Sequence, residues 1–204
     1  MNLYIGSGDI KYLLMDNKTK GYQDFIRKFV SDDKQNYNAF ASPIDALRTG
    51  AILEQRYLLT LSNDYFCQWK ATFEEMDIFT SSIDFAKIEN GLIVDFDELK
   101  TIWLTDFLDI IQPLKSLNQK EYTEVLKKKF KQNYEQIQAQ LMCSNLESAN
   151  LVFLSVDTYD DENNFNRNIN ENEYIKFRIN RDENIINKIK EKGKIFQTIK
   201  NNFL

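Results

Sequence analysis

Residues 78–103 read IFTSSIDFAKIENGLIVDFDELKTIW. Two runs rich in β-branched and aromatic residues, IFTSSIDFAKI and LIVDFDELKTIW, flank Glu89-Asn90-Gly91, and an Asn-Gly step between such runs is a hairpin signal. In the second strand Glu98 and Lys100 stand two apart and share a face, while Leu99 between them points to the core. Asp84 lies on the first strand, and its direction depends on the register. A two-residue Asn-Gly turn pairs Asp84 with Asp97 and sends Glu98 to the opposite face. A three-residue Glu-Asn-Gly loop pairs Asp84 with Phe96 and aligns Asp84, Glu98 and Lys100; an equivalent bulge does the same.

If the three groups converge, their chemistry is defined. Asp84, Glu98 and the Leu99 carbonyl are hard oxygen ligands suited to Mg²⁺ or Mn²⁺, as one ion or two. Such an ion polarises a phosphodiester and acidifies water. Lys100 then positions the water, assists its deprotonation or offsets charge on phosphorus. The competing reading is a set of charged groups on a solvated sheet face.

Outward from the hairpin, residues 8–15 and 20–31 read as short helices, the second with Tyr22, Phe25, Ile26 and Phe29 on one face. A polar loop follows. Ser42-Pro43 offers an N-cap and a first-turn proline for a helix over 43–60. There Ile44, Leu47, Ala51, Glu54 and Leu58 follow helical spacing, which places Glu54 in the core-facing stripe, where a carboxylate needs a partner or a metal. The alternatives are a salt bridge or a helix turned slightly outward. Residues 65–73 are strand-like. Beyond Pro113 a helix is expected over 119–146, with the stripe Leu126, Phe130, Tyr134, Ile137 and Leu141. Gln136 flanks that stripe in line with Gln140. Strands are expected at 151–159 and 174–180, joined by an exposed, mobile loop over 160–172, and a closing helix at 181–202. The fold class is α/β, a mixed central sheet flanked by helices, in one domain over residues 1–204.

The chain has 204 residues, a formal net charge of −5 and no histidine. The absence of imidazole removes serine and cysteine triads, histidine-zinc hydrolases and histidine-based nucleases. Carboxylates, lysine, tyrosine or a hard metal remain. Cys67 and Cys143 are isolated, so neither a disulfide framework nor a four-cysteine metal or iron–sulfur site is expected. No window reaches the length of a membrane span and no secretory signal is evident, so a cytoplasmic protein is expected, in the host cytoplasm if the source is viral. Lys127, Lys128, Lys129 and Lys131 form the dense basic run. They are either phosphate contacts or the solvated face of a helix.

Several of these stretches together resemble a known family. An aspartate on one strand followed by Glu-x-Lys on the next is the PD-(D/E)XK nuclease pattern, and the chain resembles its lambda exonuclease/YqaJ-type viral recombinase branch. YIGSGDIKYLL and KTKGYQDFIRKFV resemble the N-terminal helix and aromatic segment of that branch. ALRTGAILEQRYL resembles its Gly…Glu helix, with Gly50 and Glu54. SSIDF and DELKT carry Asp84, Glu98 and Lys100. NYEQIQAQLMCSN resembles its Gln-x-Gln helix, with Gln136 and Gln138, and YIKFRINRDENIINKIKEKGKIF its last strand and helix. The likeness spans nearly the whole chain in order.

The resemblance implies a restriction-endonuclease-like core. It also implies Mg²⁺ on Asp84, Glu98 and the Leu99 carbonyl, with Lys100, Glu54 and Gln136 completing the catalytic set. DNA is the implied substrate, with Ser7 as the contact that the resemblance offers; Lys127, Lys128 and Lys131 are candidate contacts from the basic run alone. The implied activity is 5′→3′ digestion of double-stranded DNA ends in recombination, repair or replication of a phage or mobile element. A ring-shaped homo-oligomer and a single-strand annealing partner are further implications. The chain departs from the pattern at the N-terminus, where Gly8 stands in place of the family's serine, with Ser7 one place earlier and no preceding arginine. This leaves a structure-dependent endonuclease, or a non-catalytic DNA- or protein-binding module, as alternatives.

Overall fold

Six strands form one mixed sheet in the computed structural model, which describes residues 3–31 and 42–203. They are β1 (Ile5–Gly6), β2 (Tyr65–Thr72), β3 (Phe79–Glu89), β4 (Leu92–Trp103), β5 (Ser148–Val156) and β6 (Tyr174–Asn180). The helices are α1 (Ile10–Leu13), α2 (Lys20–Ser31), α3 (Asp45–Leu58), α4 (Leu104–Asp106), α5 (Gln119–Lys129), α6 (Lys131–Ser144), α7 (Asp161–Asn166) and α8 (Glu183–Phe203). The mixed α/β architecture expected from the sequence is the one found. The polar loop expected between residues 32 and 41 lies outside the described residues.

β2 runs antiparallel along one edge of β3. The other edge of β3 carries β1 in parallel near its start and β4 antiparallel near its end. β5 joins β4 in parallel, which requires the long helical crossover between them, and β6 closes the sheet antiparallel to β5.

The hairpin combines a tight turn with a bulge. Asn90 (φ 52°) and Gly91 (φ 79°) form a two-residue turn that pairs Glu89 with Leu92 and Ile88 with Ile93. Lys87 then pairs with Asp95, so Val94 is an extra residue on β4. Beyond the bulge Phe85 pairs with Asp97, the last pair of the ladder, and the same register carried one step further sets Asp84 opposite Glu98. The turn alone would have separated the two carboxylates. The bulge restores their common face, and Asp84 comes opposite Glu98 rather than Phe96.

Pairing between β3 and β4 ends at Phe85–Asp97. There the β2–β3 ribbon changes sides. Phe85 and Tyr65 pack with Leu53 and Tyr57 of α3, whereas Ile83 and Trp69 pack with Ile137 and Leu141 of α6. Gln68, opposite Asp84 in the β2 register, takes a left-handed φ of 54° at this crossing. Residues two apart ordinarily share a face, and a left-handed residue breaks that alternation.

Three cores follow from this geometry. α1, α2 and α8 bury Leu13, Phe25, Phe29, Ile189 and Phe196 against the start of β3. α5 and α6 cover one face of β4–β6, and α3 covers the other. The single helix expected over 119–146 is two, broken at Phe130 (φ −120°, ψ 42°), although its apolar stripe is inward as expected. α3 begins at Asp45, with Ile44 as N-cap, and Ser42 Oγ accepts the Ile44 N–H at 3.2 Å. Its buried residues are Thr49, Ala51, Ile52, Leu53 and Tyr57, while Ile44 and Leu47 of the expected stripe are exposed. The 160–172 segment is not a simple mobile loop. Asp160 caps α7, Asn164 is buried with its amide on the Thr158 and Asp160 carbonyls, and Arg56 of α3 donates to the Arg167 carbonyl. Among the described residues no helix is long and apolar enough to cross a membrane.

α3 is fastened to the sheet by a buried polar clamp. Asp97, fully buried on the α3 face, accepts Tyr57 Oη at 2.7 Å, Asn150 Nδ2 at 2.8 Å and Lys176 Nζ at 2.6 Å. Burial, and then the Asp97 charge, push the Tyr57 phenol far above its ordinary range, so it stays a donor. Tyr57→Phe removes one donor from a carboxylate that remains buried. Its expected cost is about 1–3 kcal/mol of unfolding free energy, read from urea denaturation.

Candidate active site

β3 and β4 separate immediately after the residues that place Asp84 and Glu98 opposite each other, and side chains satisfy the groups exposed in the split. Asp84 Oδ2 accepts the Leu99 N–H at 3.0 Å. Because a strand residue's N–H and C=O leave the same edge, the Leu99 carbonyl is directed to that side as well. Glu98 is fully buried. Its Oε1 accepts Lys100 Nζ and Gln136 Nε2, each at 2.6 Å, and its Oε2 accepts Gln140 Nε2. Glu54 approaches from α3 and accepts Gln68 Nε2 at 3.4 Å, while Gln68 Oε1 accepts Ser82 Oγ at 2.8 Å.

The electrostatics couple these groups. Burial, then the Glu98 and Glu54 charges, hold the Asp84 carboxyl well above the usual carboxylate range, against the opposing pull of Lys100 and the Leu99 N–H. Glu54 is raised by burial and by Glu98. For Lys100 burial is the largest single influence and pulls downward, but Glu98, Asp84 and Glu54 together outweigh it. The ammonium is therefore held charged at neutral pH.

Three carboxylates thus face one cation. The donor set, all oxygen and in excess of its counter-charge, fits a hard divalent ion. Among the described residues, however, no three His, Cys, Asp or Glu side chains are gathered closely enough to hold a metal as they stand. Lys100 supplies the local counter-charge instead.

The structure brings Asp84, Leu99, Glu98, Lys100, Glu54 and Gln136 together. Glu54 arrives by a route other than the one expected, beside the buried face of α3 rather than within it. Gln138 belongs elsewhere: it donates to the Asn180 carbonyl at 3.0 Å and accepts the Asp182 N–H at 2.7 Å, tying α6 to the start of α8. Ser7 is buried, with its hydroxyl 3.3 Å from Ser81 Oγ. Lys131 is five residues from Gln136 on α6, about 140° around the helix, and pairs with Glu135 at 3.6 Å. Lys127 pairs with Asp182 at 3.1 Å and Glu124 at 3.5 Å. Both lysines line a separate cleft of about 350 Å³ with Tyr134 and Lys188, and Lys128 is exposed.

Two site residues had not been assigned from the sequence. Gln140 carried a signal, four residues from Gln136 and so on the same helix face. Gln68 carried none, because its place depends on a left-handed backbone that its residue type does not announce.

The raised Asp84 carboxyl gives a test. An acid whose pKa rises on folding binds more protons when folded, so stability falls as pH rises from the ordinary carboxylate range through the raised value. Asp84→Asn keeps an acceptor for Leu99 and removes the charge. In EDTA its melting temperature should exceed that of the parent at pH 8, by about 2–4 °C per kcal/mol relieved, and the gain should vanish near pH 4 (the ordinary value is 3.8).

No protein-family model and no curated protein matches the chain. Solved structures do. An alkaline exonuclease from Laribacter hongkongensis aligns with a TM-score of 0.64 at 16% identity, over 97% of this chain and 88% of its own. That enzyme in complex with dAMP gives 0.60 at 15% identity, over 97% and 87%. A phage-related exonuclease from Haemophilus somnus gives 0.60 at 16% identity, over 100% and 98%. At such identities the likeness is one of fold, and the fold expected from the sequence resemblance is the one found: this chain is built on the architecture of the alkaline and phage-related exonucleases.

Proposed function

We propose that this protein is a metal-dependent deoxyribonuclease, an exonuclease acting on double-stranded DNA ends in the recombination, repair or replication of a phage or mobile element. The observation that carries the reading is the meeting of Asp84, Glu98 and Lys100 at the split between β3 and β4, with Glu54 and Gln136 closing on them. A scaffold shared with exonucleases, one of them solved with a deoxynucleoside monophosphate, supports DNA as the substrate class.

Asp84, Glu98 and the Leu99 carbonyl would hold Mg²⁺ or Mn²⁺. The ion would supply Lewis-acid polarisation of the scissile phosphodiester and acidify the attacking water. Lys100, held cationic, orients that water or neutralises charge developing on the phosphate oxygens. Glu54, with its carboxyl raised above the ordinary range, is a stronger proton acceptor than a solvated carboxylate and is suited to take the water's proton. Gln136 holds Glu98 in place beside Lys100.

The burial of Ser7 favours a second reading, a structure-dependent endonuclease with the same centre. A hydroxyl turned inward on Ser81 does not offer itself to a terminal 5′-phosphate.

The test is incubation of linear and covalently closed DNA with Mg²⁺ or Mn²⁺, comparing the parent with Glu98→Ala and Lys100→Ala. Digestion of linear DNA only, reduced at least about a hundredfold by either substitution, is the expected outcome. Cleavage of closed circles would favour the endonuclease. No metal-dependent cleavage, with DNA binding intact, would leave a binding module.

A further inference from the structure

The geometry points to Gln140 as a positioning residue for Glu98, one that fixes the carboxylate for a divalent cation. This deepens the proposed metal-dependent reading and rests on it.

Gln140 is fully buried on α6. Its Nε2 donates to Glu98 Oε2 on β4 and, at 3.2 Å, to the Ser82 carbonyl on β3. Ser82 lies in the stretch 81–84, where neither β1 nor β4 pairs with β3. One amide therefore spans the two strands where they part. Among the described residues Gln140 is the one donor to Oε2, whereas Oε1 has both Lys100 and Gln136.

The orientation of this amide is forced. Turned over, its carbonyl would face a carboxylate and a backbone carbonyl, both acceptors. As placed, Gln140 Oε1 is buried without a hydrogen-bond donor. An apolar side chain would fill the volume without that penalty, so the position uses the amide for its N–H groups. A hydrogen bond that orients a metal-ligating carboxylate governs metal affinity, and losing it weakens binding about 10–100-fold.

Gln140→Met keeps the length and removes the donors, and Gln140→Leu serves if the methionine variant does not fold. Mn²⁺ binding is measured by calorimetry on the intact chain, alongside unfolding temperature in EDTA. Gln140→Met should weaken Mn²⁺ binding about tenfold. Gln136→Met should weaken it less, since Lys100 still holds Oε1. The melting temperature of Gln140→Met should stay within a few degrees of the parent. Parental Mn²⁺ affinity in Gln140→Met, whether or not the variant is destabilised, would overturn the proposal and leave Gln140 a structural brace. So would a larger loss in Gln136→Met. Parent protein that binds no Mn²⁺ overturns this inference and the nuclease reading together. Parent protein that binds Mn²⁺ without cutting DNA removes the nuclease reading alone, and the binding comparison still decides the role of Gln140.

Discussion

Strand β4 carries two consecutive carboxylates, Asp97 and Glu98, both fully buried and facing opposite sides of the sheet. A buried carboxylate is tolerated only where donors surround it, so each face of the sheet must deliver a polar set to this one point. On the α3 side the donors are Tyr57, Asn150 and Lys176. On the α6 side they are Lys100, Gln136 and Gln140. The first set fastens α3, and with it Glu54, to the sheet. The second assembles the candidate site. Scaffold and chemistry thus hang on adjacent residues of one strand and are separated only by the alternation of the backbone.

The split between β3 and β4 is the other half of the arrangement. In a continuous sheet the Leu99 amide and the Ser82 carbonyl would find backbone partners. Here Asp84 and Gln140 take that role, so the groups that close the gap also line the site. Ionising Asp84 works against burial and against its neighbours, the kind of local cost that clusters at functional centres.

Part of this was legible in the sequence. Glu98 and Lys100 share a face by strand periodicity alone, and Asn90-Gly91 announced the turn. Val94 did not announce the bulge, since a valine inside a run of β-formers looks the same in a regular strand. The stripe that points to Glu54 is met in part: Ile44 and Leu47 are exposed, while Ala51 is buried and Leu58 packs on the core beneath α3. The helix is rotated so that Leu53 and Tyr57 are inward, and Glu54 reaches the site from the margin. Asp97 is not legible in the same way, because Asp-Phe-Asp-Glu has the pattern of surface charge until partners from α3, β5 and β6 are in place. The Asn- and Asp-rich 160–172 segment looked structureless, yet those same residue types supply the cap and the buried amide that order α7. Composition carries no information about which hydrogen bonds will close.

The pairing beyond the Val94 bulge tolerates changes at the hairpin tip. A tip longer by one residue, with the bulge deleted, would leave Asp84 and Glu98 on a common face. Either change alone, as a residue gained at the tip or lost from the bulge, keeps the pairing beyond it and so the common face, while altering the number of residues between the two carboxylates. Relatives of this chain can therefore differ in the spacing between aspartate and glutamate while preserving the site in space. A comparison that aligns them by fixed spacing would score as divergence what the sheet treats as equivalent.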